Sequence, residues 1–301
     1  MTTVVIPAHN EGRVIGRLLG QLVAGAPQGD LNVIVVANGC TDDTAEVAAS
    51  FGRQVQVLSI PVASKYEARV AGDLAAADLP RVYVDADIEM RAQDLRALVA
   101  ALRQPGVLAA APERVLQLAG RPWSVRWYYD VWSRLPEVRL GLFGRGVIAV
   151  DRVGQERIAS LPPLLSDDLA ASLLFAPHER SVVPGARAVV HVPRTFADLL
   201  RRRVRIAAGV AQIERADGAP GATARTQMAD LLAIARREPR LAPQVAFFLL
   251  VAIVVRLKAS RAVARGDYST WLRDESSRAA PAAAAALVRQ NPVEKQQSEC
   301  R

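Results

Sequence analysis

Short apolar runs alternate with helical patterns over the first hundred residues of the chain. Four runs predict strands, and these are Val4–Ile6, Leu31–Ala37, Val55–Ile60 and Arg81–Val84. Apolar residues recur at helical spacing in four other segments, which are Arg13–Ala24, Thr41–Phe51, Tyr66–Ala77 and Ala92–Leu102. Strands that alternate with helices indicate a mainly parallel sheet with helices on both faces. The pattern therefore predicts an α/β fold.

The remainder of the chain is less regular. Residues 105–193 include an aromatic stretch at helical spacing, Trp123–Trp132, and a glycine-rich segment, Gly141–Gly146. The strand-like run Val147–Val150 follows that segment, whereas a dinucleotide-binding glycine loop would be followed by a helix. After residue 194 the pattern becomes mainly helical and includes eleven consecutive apolar residues, Val245–Val255. We therefore expect a helical C-terminal region.

The charge of the chain is concentrated in its last third. The 301 residues carry a formal net charge of +8, and 51% of them are hydrophobic, which is enough to form a core. Residues 1–193 hold 19 Lys and Arg against 20 Asp and Glu, whereas residues 194–301 hold 19 against 10. This distribution argues against a nucleic-acid-binding main domain and indicates a neutral globular body with a basic C-terminal region.

The number of cysteines and the residues at the start of the sequence indicate the cellular compartment of the protein. The two cysteines, Cys40 and Cys300, are too few for a disulfide framework. No basic segment precedes the first apolar run, so we expect no signal peptide. The default expectation is a reducing, cytoplasmic setting.

Polar and acidic residues follow three of the predicted strands. Pro7–Glu11 follows the first strand, Asn38–Thr44 the second, and Asp85-Ala86-Asp87 the fourth. The carboxyl ends of parallel strands meet at one edge of a sheet, so these residues predict a cleft there. Two carboxylates separated by one residue can also present oxygens to Mg²⁺ or Mn²⁺. The alternative interpretation of an isolated pair of this kind is a solvated loop.

Five segments together resemble the inverting family 2 glycosyltransferases of the GT-A fold, over roughly residues 1–210. They are Val4–Glu11, Val35–Thr44, Asp85-Ala86-Asp87, Asp167-Asp168-Leu169 and the Arg201–Arg205 cluster. Each segment is a weak signal alone, but all five occur in the order typical of the family. The resemblance implies transfer of a sugar from a nucleotide-diphosphate donor to a hydroxyl acceptor, which would be a saccharide or a lipid-linked molecule.

The resemblance also assigns residues to the nucleotide sugar. They are Pro7, Ala8, Asn10, Glu11, Asn38, Gly39, Lys65, Asp85, Ala86, Arg202 and Arg205. This chain departs from the family pattern at several positions, where Asn38 replaces Asp, Cys40 replaces Ser, Val70 replaces Asn, Arg202 replaces Gln and Ile206 replaces Trp. The departure at Asn38 leaves the nucleotide base open. Other roles also remain open, namely a cap of the first helix for Asn10-Glu11, a solvated helix start for Lys65 and contact with anionic lipid for the arginine cluster.

The same resemblance implies the catalytic groups. Asp87 would bind a divalent cation, Mg²⁺ or Mn²⁺, that neutralises the diphosphate leaving group. Asp168 would be the general base, and it is favoured over Asp167, although this pair could also cap the following helix. His191 is a candidate third metal ligand, and a structural role is the alternative.

The apolar run near the C-terminus raises the question of a membrane. Val245–Val255 spans only about 16 Å as a helix, against a hydrocarbon core of about 30 Å, so we expect no full crossing. The run is followed by Arg256, Lys258, Arg261 and Arg265. Two interpretations stay open: a helix that lies on an anionic membrane surface, or a helix that covers the catalytic domain.

The predicted organisation combines these assignments. A catalytic domain covers residues 1–210, with a nucleotide-sugar-binding half over 1–104 and an acceptor-binding half over 105–210. A helical region over 211–278 contains the apolar helix 241–257, and a flexible tail covers 279–301. The enzyme would be cytoplasmic, or peripheral on the inner face of the cell membrane. The alternatives are an inactive, membrane-associated binding protein and a sugar nucleotidyltransferase, although Pro7–Arg13 lacks the glycine-rich loop that the latter needs.

Overall fold

The computed structural model describes residues 1–27, 29–164, 166–215 and 226–264. The predicted tail over 279–301, part of the helical region over 211–278, and both Arg265 and Cys300 lie outside these residues.

One mixed sheet forms the centre of the described structure. Its strands are β1 (Thr2–Ala8), β2 (Leu31–Asn38), β3 (Val55–Ile60), β4 (Arg81–Val84), β5 (Ala109–Gln117), β6 (Val147–Val150) and β7 (Arg180–His191). Their spatial order is β3-β2-β1-β4-β6-β5-β7. The strand pairs are parallel except that β6 runs antiparallel to both β4 and β5. The predicted α/β class with a mainly parallel sheet is confirmed.

Helices flank this sheet and form most of the C-terminal third. They are α1 (Gly12–Ala24), α2 (Thr44–Ala49), α3 (Lys65–Ala75), α4 (Ala92–Ala101), α5 (Trp123–Trp132), α6 (Pro136–Leu140), α7 (Arg152–Ala159), α8 (Asp167–Leu173), α9 (Phe196–Arg215), α10 (Met228–Arg237) and α11 (Ala242–Ala264). Helix α2 is shorter than the predicted Thr41–Phe51. Its first residues instead form a turn in which Asp42 accepts a hydrogen bond from the Thr44 hydroxyl.

The main core lies between the sheet and helices α1 and α4, and α3 packs on β1 and β2 in a separate cluster. In α1 the apolar positions that predicted the helix are buried, and they are Val14, Ile15, Leu18, Leu19 and Leu22. Helix α3 begins at Ser64, whose hydroxyl accepts a hydrogen bond from the Glu67 N–H at 3.2 Å, and this caps the helix. Its Gly72 allows close approach to β1, because a Cβ there would lie 2.4 Å from Val5 Cγ1.

A second core joins α5, α9, α10 and α11. Tyr128 of α5 stacks on Phe248 of α11, with ring centroids 4.9 Å apart. Leu199 of α9 is fully buried in the same cluster. The C-terminal helices therefore pack onto α5 and its neighbours in the segment over 105–210.

Helix α11 has two different faces. Its buried face carries Val245, Phe248, Val251, Val255 and Ala259. The opposite face exposes Leu250, Ile253 and Leu257 at 58%, 54% and 55%. Helical spacing places these three residues on one stripe. The stretch 239–261 is long and apolar enough to cross a membrane by length and composition, and 28% of it is buried. The helix is longer than the predicted apolar segment 241–257, because it continues through the basic residues to Ala264.

Candidate active site

Most of the predicted site residues line one cleft of about 300 Å³ at the carboxyl ends of β1, β2 and β4. They are Pro7, Glu11, Asn38, Lys65, Asp85, Ala86, Asp87, Asp167, Asp168, His191, Arg202 and Arg205. The predicted residues Ala8, Asn10 and Gly39 lie in the adjoining loops and do not line the cleft. The cleft thus brings together segments that are far apart along the chain.

The loops after β1 and β2 hold each other in place. The N–H of Glu11 donates to the Thr44 hydroxyl at 2.8 Å, and the N–H of Gly12 donates to Asp42 Oδ2 at 3.0 Å. The Asn10 side chain in turn accepts a hydrogen bond from the Thr41 N–H at 2.8 Å. The start of α1 is therefore held by side chains of the neighbouring loop. Glu11 occupies the N-cap position of α1, but its side chain makes no capping hydrogen bond.

Asp42 accepts several of the hydrogen bonds that join these two loops. Burial by itself would raise the pKa of Asp42, but hydrogen bonds from the Thr44 hydroxyl and from the N–H groups of Gly12 and Thr44 lower it below its ordinary value. The carboxylate thus stays ionised at the positive end of α1.

Asn38 is buried in the floor of the cleft with its amide in one orientation. Its Nδ2 donates to the carbonyl oxygens of Ala8, at 2.8 Å, and Val36, at 3.3 Å. Its Oδ1 is buried and accepts no hydrogen bond from the described residues. Since an amide has donors on one side and acceptors on the other, Asn38 presents only an acceptor to a ligand.

Lys65 links two of the acidic segments. Its Nζ lies 2.7 Å from Asp85 Oδ1 and 3.0 Å from Asp167 Oδ2. Although burial opposes it, the attraction of Asp167 and Asp85 raises the pKa of Lys65 above its ordinary value. Burial raises the pKa of Asp85, where the Lys65 ammonium acts against the repulsion of Asp87 and Asp167. The alternative of Lys65 as a freely solvated helix start is therefore wrong.

Asp168 is oriented differently from its neighbour Asp167. Its Oδ2 accepts a hydrogen bond from the Gly144 N–H at 2.9 Å, and its Oδ1 accepts one from the Leu169 N–H at 2.8 Å. Gly144 has a φ of +64°, a conformation that favours glycine. The glycine-rich loop Gly141–Gly146 thus positions the Asp168 carboxylate, which remains exposed in the cleft.

Two buried arginines that sequence reasoning missed support this loop. Arg145 donates to four backbone carbonyl oxygens, those of Pro112, Val138, Arg139 and Gly141. Arg114 donates to the Phe143 carbonyl at 3.1 Å and lies over the Trp132 ring at 4.7 Å. Burial lowers the pKa of Arg145 to about 10, and burial together with Arg145 lowers that of Arg114 to about 9. The only sequence signal was the position of Arg145 between two glycines.

The arginine cluster of α9 divides between the cleft and solvent. Arg202, Arg203 and Arg205 line the cleft, and Arg203 lies 5.5 Å from the centre of the Tyr128 ring. Arg201 is half exposed and forms an ion pair with Asp198. The cleft therefore has cations on one side and carboxylates on the other.

His191 is held by Glu89 at the rim of the cleft. Its Nε2 lies 2.8 Å from Glu89 Oε1, which also lies 3.3 Å from Arg17 Nε. Within the described ranges, no group of three or more His, Cys, Asp and Glu side chains is arranged to hold a metal. The acidic cluster still fits Mg²⁺ or Mn²⁺, because these ions use one or two carboxylates and complete their shell with phosphate oxygens and water.

Comparison with known proteins agrees with this geometry. Residues 3–150 match the family model described as glycosyl transferase family 2. An uncharacterised glycosyltransferase of Mycobacterium tuberculosis is 38% identical over 142 residues, which cover 44% of this chain and 62% of the relative. The chain thus spans less than two thirds of the length of this curated relative.

Two solved structures share the architecture. A mannosyltransferase from Pyrobaculum calidifontis, in complex with GDP-Man and Mn²⁺, has a TM-score of 0.58 at 21% identity, covering 95% of this chain and 86% of its own. Glucosyl-3-phosphoglycerate synthase from Mycobacterium tuberculosis, with Mn²⁺, UDP and glucosyl-3-phosphoglycerate, has a TM-score of 0.53 at 21% identity, covering 70% and 79%.

The sheet order and these neighbours define the class of protein: the chain has the GT-A fold of glycosyltransferases. Residues 3–150, just under half of the chain, carry the similarity to glycosyl transferase family 2.

Proposed function

We propose that the protein is an inverting, metal-assisted glycosyltransferase that moves a sugar from a nucleotide-diphosphate donor to a hydroxyl acceptor. The observation that carries the proposal is the meeting of three chemistries in one cleft: Asp85 and Asp87, the Asp167-Asp168 pair, and the arginines of α9. Transfer with inversion needs a base at the attacking hydroxyl and positive charge at the leaving diphosphate. The cleft has residues for both.

Asp168 is the proposed general base. Its carboxylate is held by neutral N–H donors and is exposed, so it can accept the proton of an acceptor hydroxyl. Asp167 is instead engaged by the Lys65 ammonium at 3.0 Å, so its carboxylate is less available to an acceptor hydroxyl. The difference between the two environments supports Asp168 over Asp167.

The proposed leaving-group site combines Asp87 with the arginines. Mg²⁺ or Mn²⁺ bound at Asp87 would neutralise charge on the leaving diphosphate, and His191 is the candidate additional ligand. Arg202 and Arg205 line the same cleft, and guanidinium groups suit diphosphate oxygens.

Asn38 is the proposed base contact. Its Nδ2 is used within the protein, so its Oδ1, which is buried and unpaired among the described residues, is the proposed contact once the nucleotide rearranges the floor of the cleft. An acceptor pairs with a donor of the base, and this donor is a ring N–H in uracil, thymine or guanine and an exocyclic amino group in adenine or cytosine. The contact does not distinguish the bases, and a donor screen is needed to identify the nucleotide.

The first experiment tests donor and base together. Thermal shift of the purified chain with Mn²⁺ and UDP-, dTDP-, GDP- or ADP-sugars should select a single nucleotide. With that donor, Asp168→Asn should lower the transfer rate by about 10²–10⁴-fold while the Mn²⁺-dependent shift is retained. Asp87→Ala should lose that shift, and Asp78→Asn, outside the cleft, is the control. A full rate in Asp168→Asn would overturn the base, and absence of transfer with every donor would favour the binding-protein alternative.

We also propose a cytoplasmic location with the exposed face of α11 on an anionic membrane. The exposed stripe of Leu250, Ile253 and Leu257 is followed on the same helix by exposed cations at Arg256 and Lys258. A helix with these features lies in the plane of the interface. The opposite face is already packed against α5 and α9, so an in-plane position is compatible with the fold and a crossing would expose that face.

Vesicle flotation tests this location. Binding to vesicles that contain phosphatidylglycerol should exceed binding to phosphatidylcholine vesicles and fall with added salt. Ile253→Glu should abolish it, whereas Leu74→Glu, at an even more exposed apolar position on α3, should not. Equal binding to both vesicle types would contradict the electrostatic part of the proposal.

A further inference from the structure

A second cavity of about 360 Å³ opens beside the cleft, between α3, β4, β6 and the segment that leads into α8. We call it the apolar chamber. Its deeper walls are formed by Tyr83, Leu142, Ile148, Ile158, Leu161 and Ala171. At its mouth it shares Lys65, Asp85, Asp167 and Asp168 with the cleft. The acidic centre of the site is therefore the junction of two spaces of different character.

The deeper walls of the chamber are mainly apolar. The Tyr83 hydroxyl already bonds the Asp73 carboxylate, at 2.9 and 3.1 Å. Asp73 also meets Arg81 at 2.5 Å and Arg69 at 3.4 Å, although Arg69 Nη2 is buried without a hydrogen-bond partner among the described residues, and Arg205 lines the chamber as well as the cleft. Apart from these two arginines, burial of apolar surface is the main favourable interaction there, at about 25 cal/mol per Å².

The size of the chamber sets the scale of its occupant. A cavity of about 150 Å³ lined by apolar side chains holds one benzene molecule. By volume, 360 Å³ corresponds to roughly fourteen carbon atoms. A linear or branched hydrocarbon of that size fits the space, whereas a monosaccharide would bury hydroxyl groups without partners.

The nucleotide is assigned to the cleft and not to the apolar chamber. Glu11, Asn38 and the cation-bearing Arg202 line the cleft and not the chamber. Asp168, the proposed base, stands at the mouth of both. A hydroxyl at the end of an apolar body in the chamber would therefore lie next to the group that removes its proton.

We infer that the apolar chamber is the binding site for the apolar body of the acceptor, so that the protein glycosylates a hydroxyl carried by a hydrocarbon. The inference rests on the proposed function. In the reaction, the acceptor oxygen bonds to the anomeric carbon, the bond from that carbon to the diphosphate breaks, and the acceptor proton passes to Asp168.

Binding of 1-butanol, 1-hexanol and 1-octanol, measured by calorimetry on the full chain, tests the chamber without requiring activity. Each additional pair of methylenes should strengthen binding about tenfold. Ala171→Phe, which fills the chamber, and Leu161→Ser, which makes its wall polar, should both remove this dependence on chain length. Leu257→Ser on the exposed face of α11 is the matched control and should leave it unchanged, which separates the chamber from the other apolar surface.

Three outcomes would overturn the inference. The first is equal binding of all three alcohols to the wild type. The second is an unchanged dependence of binding on chain length in both chamber variants. The third is a loss of nucleotide-sugar binding rather than alcohol binding in Ala171→Phe, which would mean that the donor binds in the chamber. The failure of the proposed function looks different, because alcohols would still bind with chain-length dependence while no sugar is transferred to any of them.

Discussion

Substitution of Gly209 in α9 by alanine tests whether the packing of α9 against the start of α8 positions the catalytic carboxylates. A Cβ at this position would lie 2.2 Å from Ser166 Oγ, 2.9 Å from Ser166 Cβ and 3.0 Å from Ser166 N. Ser166 directly precedes Asp167 and Asp168. Gly209→Ala must therefore push α9 and the start of α8 apart, although both helices could otherwise remain intact.

The expected magnitudes differ between stability and catalysis. The Ser166 hydroxyl at 2.2 Å can rotate away, but Ser166 Cβ and N at 2.9 and 3.0 Å cannot, and since ordinary contact begins near 3.4 Å they require a shift of about 0.5 Å. Overpacking of this kind destabilises by about 1–3 kcal/mol, but alanine in a helix gains about 1 kcal/mol over glycine, so the net loss is about 0–2 kcal/mol. A displacement of about 1 Å at a catalytic group lowers the rate by about 100-fold, so half of that displacement should lower it about tenfold. Small destabilisation with a tenfold rate loss is the expected signature.

The assay measures urea denaturation and transfer rate on the same preparations. Gly20→Ala in α1 is the control, because nothing lies within 4 Å of its Cβ, and it should stabilise by about 1 kcal/mol with an unchanged rate. Adding Ser166→Gly removes the two closest atoms and should restore most of the rate lost in Gly209→Ala. If Gly209→Ala behaves like Gly20→Ala in both measurements, the close packing of α9 on α8 does not position the base.

Three further substitutions test the loops around the cleft. Asp42→Ala should lower the free energy of unfolding at pH 7 by about 1 kcal/mol. Since the pKa of Asp42 is lowered in the folded state, its contribution to stability is present above the unfolded value of about 3.8 and is lost as the pH falls through the folded value. The urea denaturation curves of variant and wild type should therefore converge as the pH falls well below 3.8. Gly39→Ala places a Cβ 2.7 Å from Ala63 N at a φ of +54°, so nucleotide-dependent thermal shift should be lost. Arg145→Met leaves four carbonyls without their donor and should lower stability by about 3 kcal/mol in thermal unfolding.

The parts of the site that follow strands could be predicted from the sequence. Asn38 and the Asp85–Asp87 segment each come directly after an apolar strand, and parallel strands bring their carboxyl ends to one edge. The strand pattern of the sequence therefore predicts that both segments lie at the same edge of the sheet. Asp168 has no such local signal, and its prediction depended on resemblance to a family.

The contacts that orient those residues could not be predicted. Lys65 meets Asp167 across about a hundred residues of chain, and the Gly144 N–H meets Asp168 across 24. A buried arginine such as Arg145 has the same local pattern as an exposed one, because its partners are backbone carbonyls that no side-chain pattern reveals. Helix ends were also uncertain: α11 continues past the apolar run since basic residues continue a helix as readily as apolar ones.

The packing of α9 determines how the membrane proposal should be tested. Helix α9 contacts α11 on one side, meets the start of α8 through Gly209, and carries Arg202 and Arg205 into the cleft. Deleting α11 would remove Phe248 and expose its partner Tyr128 of α5. It would also remove the support of α9, so lost vesicle binding and lost transfer would then have a common structural cause. A charge placed at Ile253 changes only the exposed face. Vesicle binding lost with transfer to a soluble acceptor retained is therefore the result that separates a membrane contact from a structural role of α11.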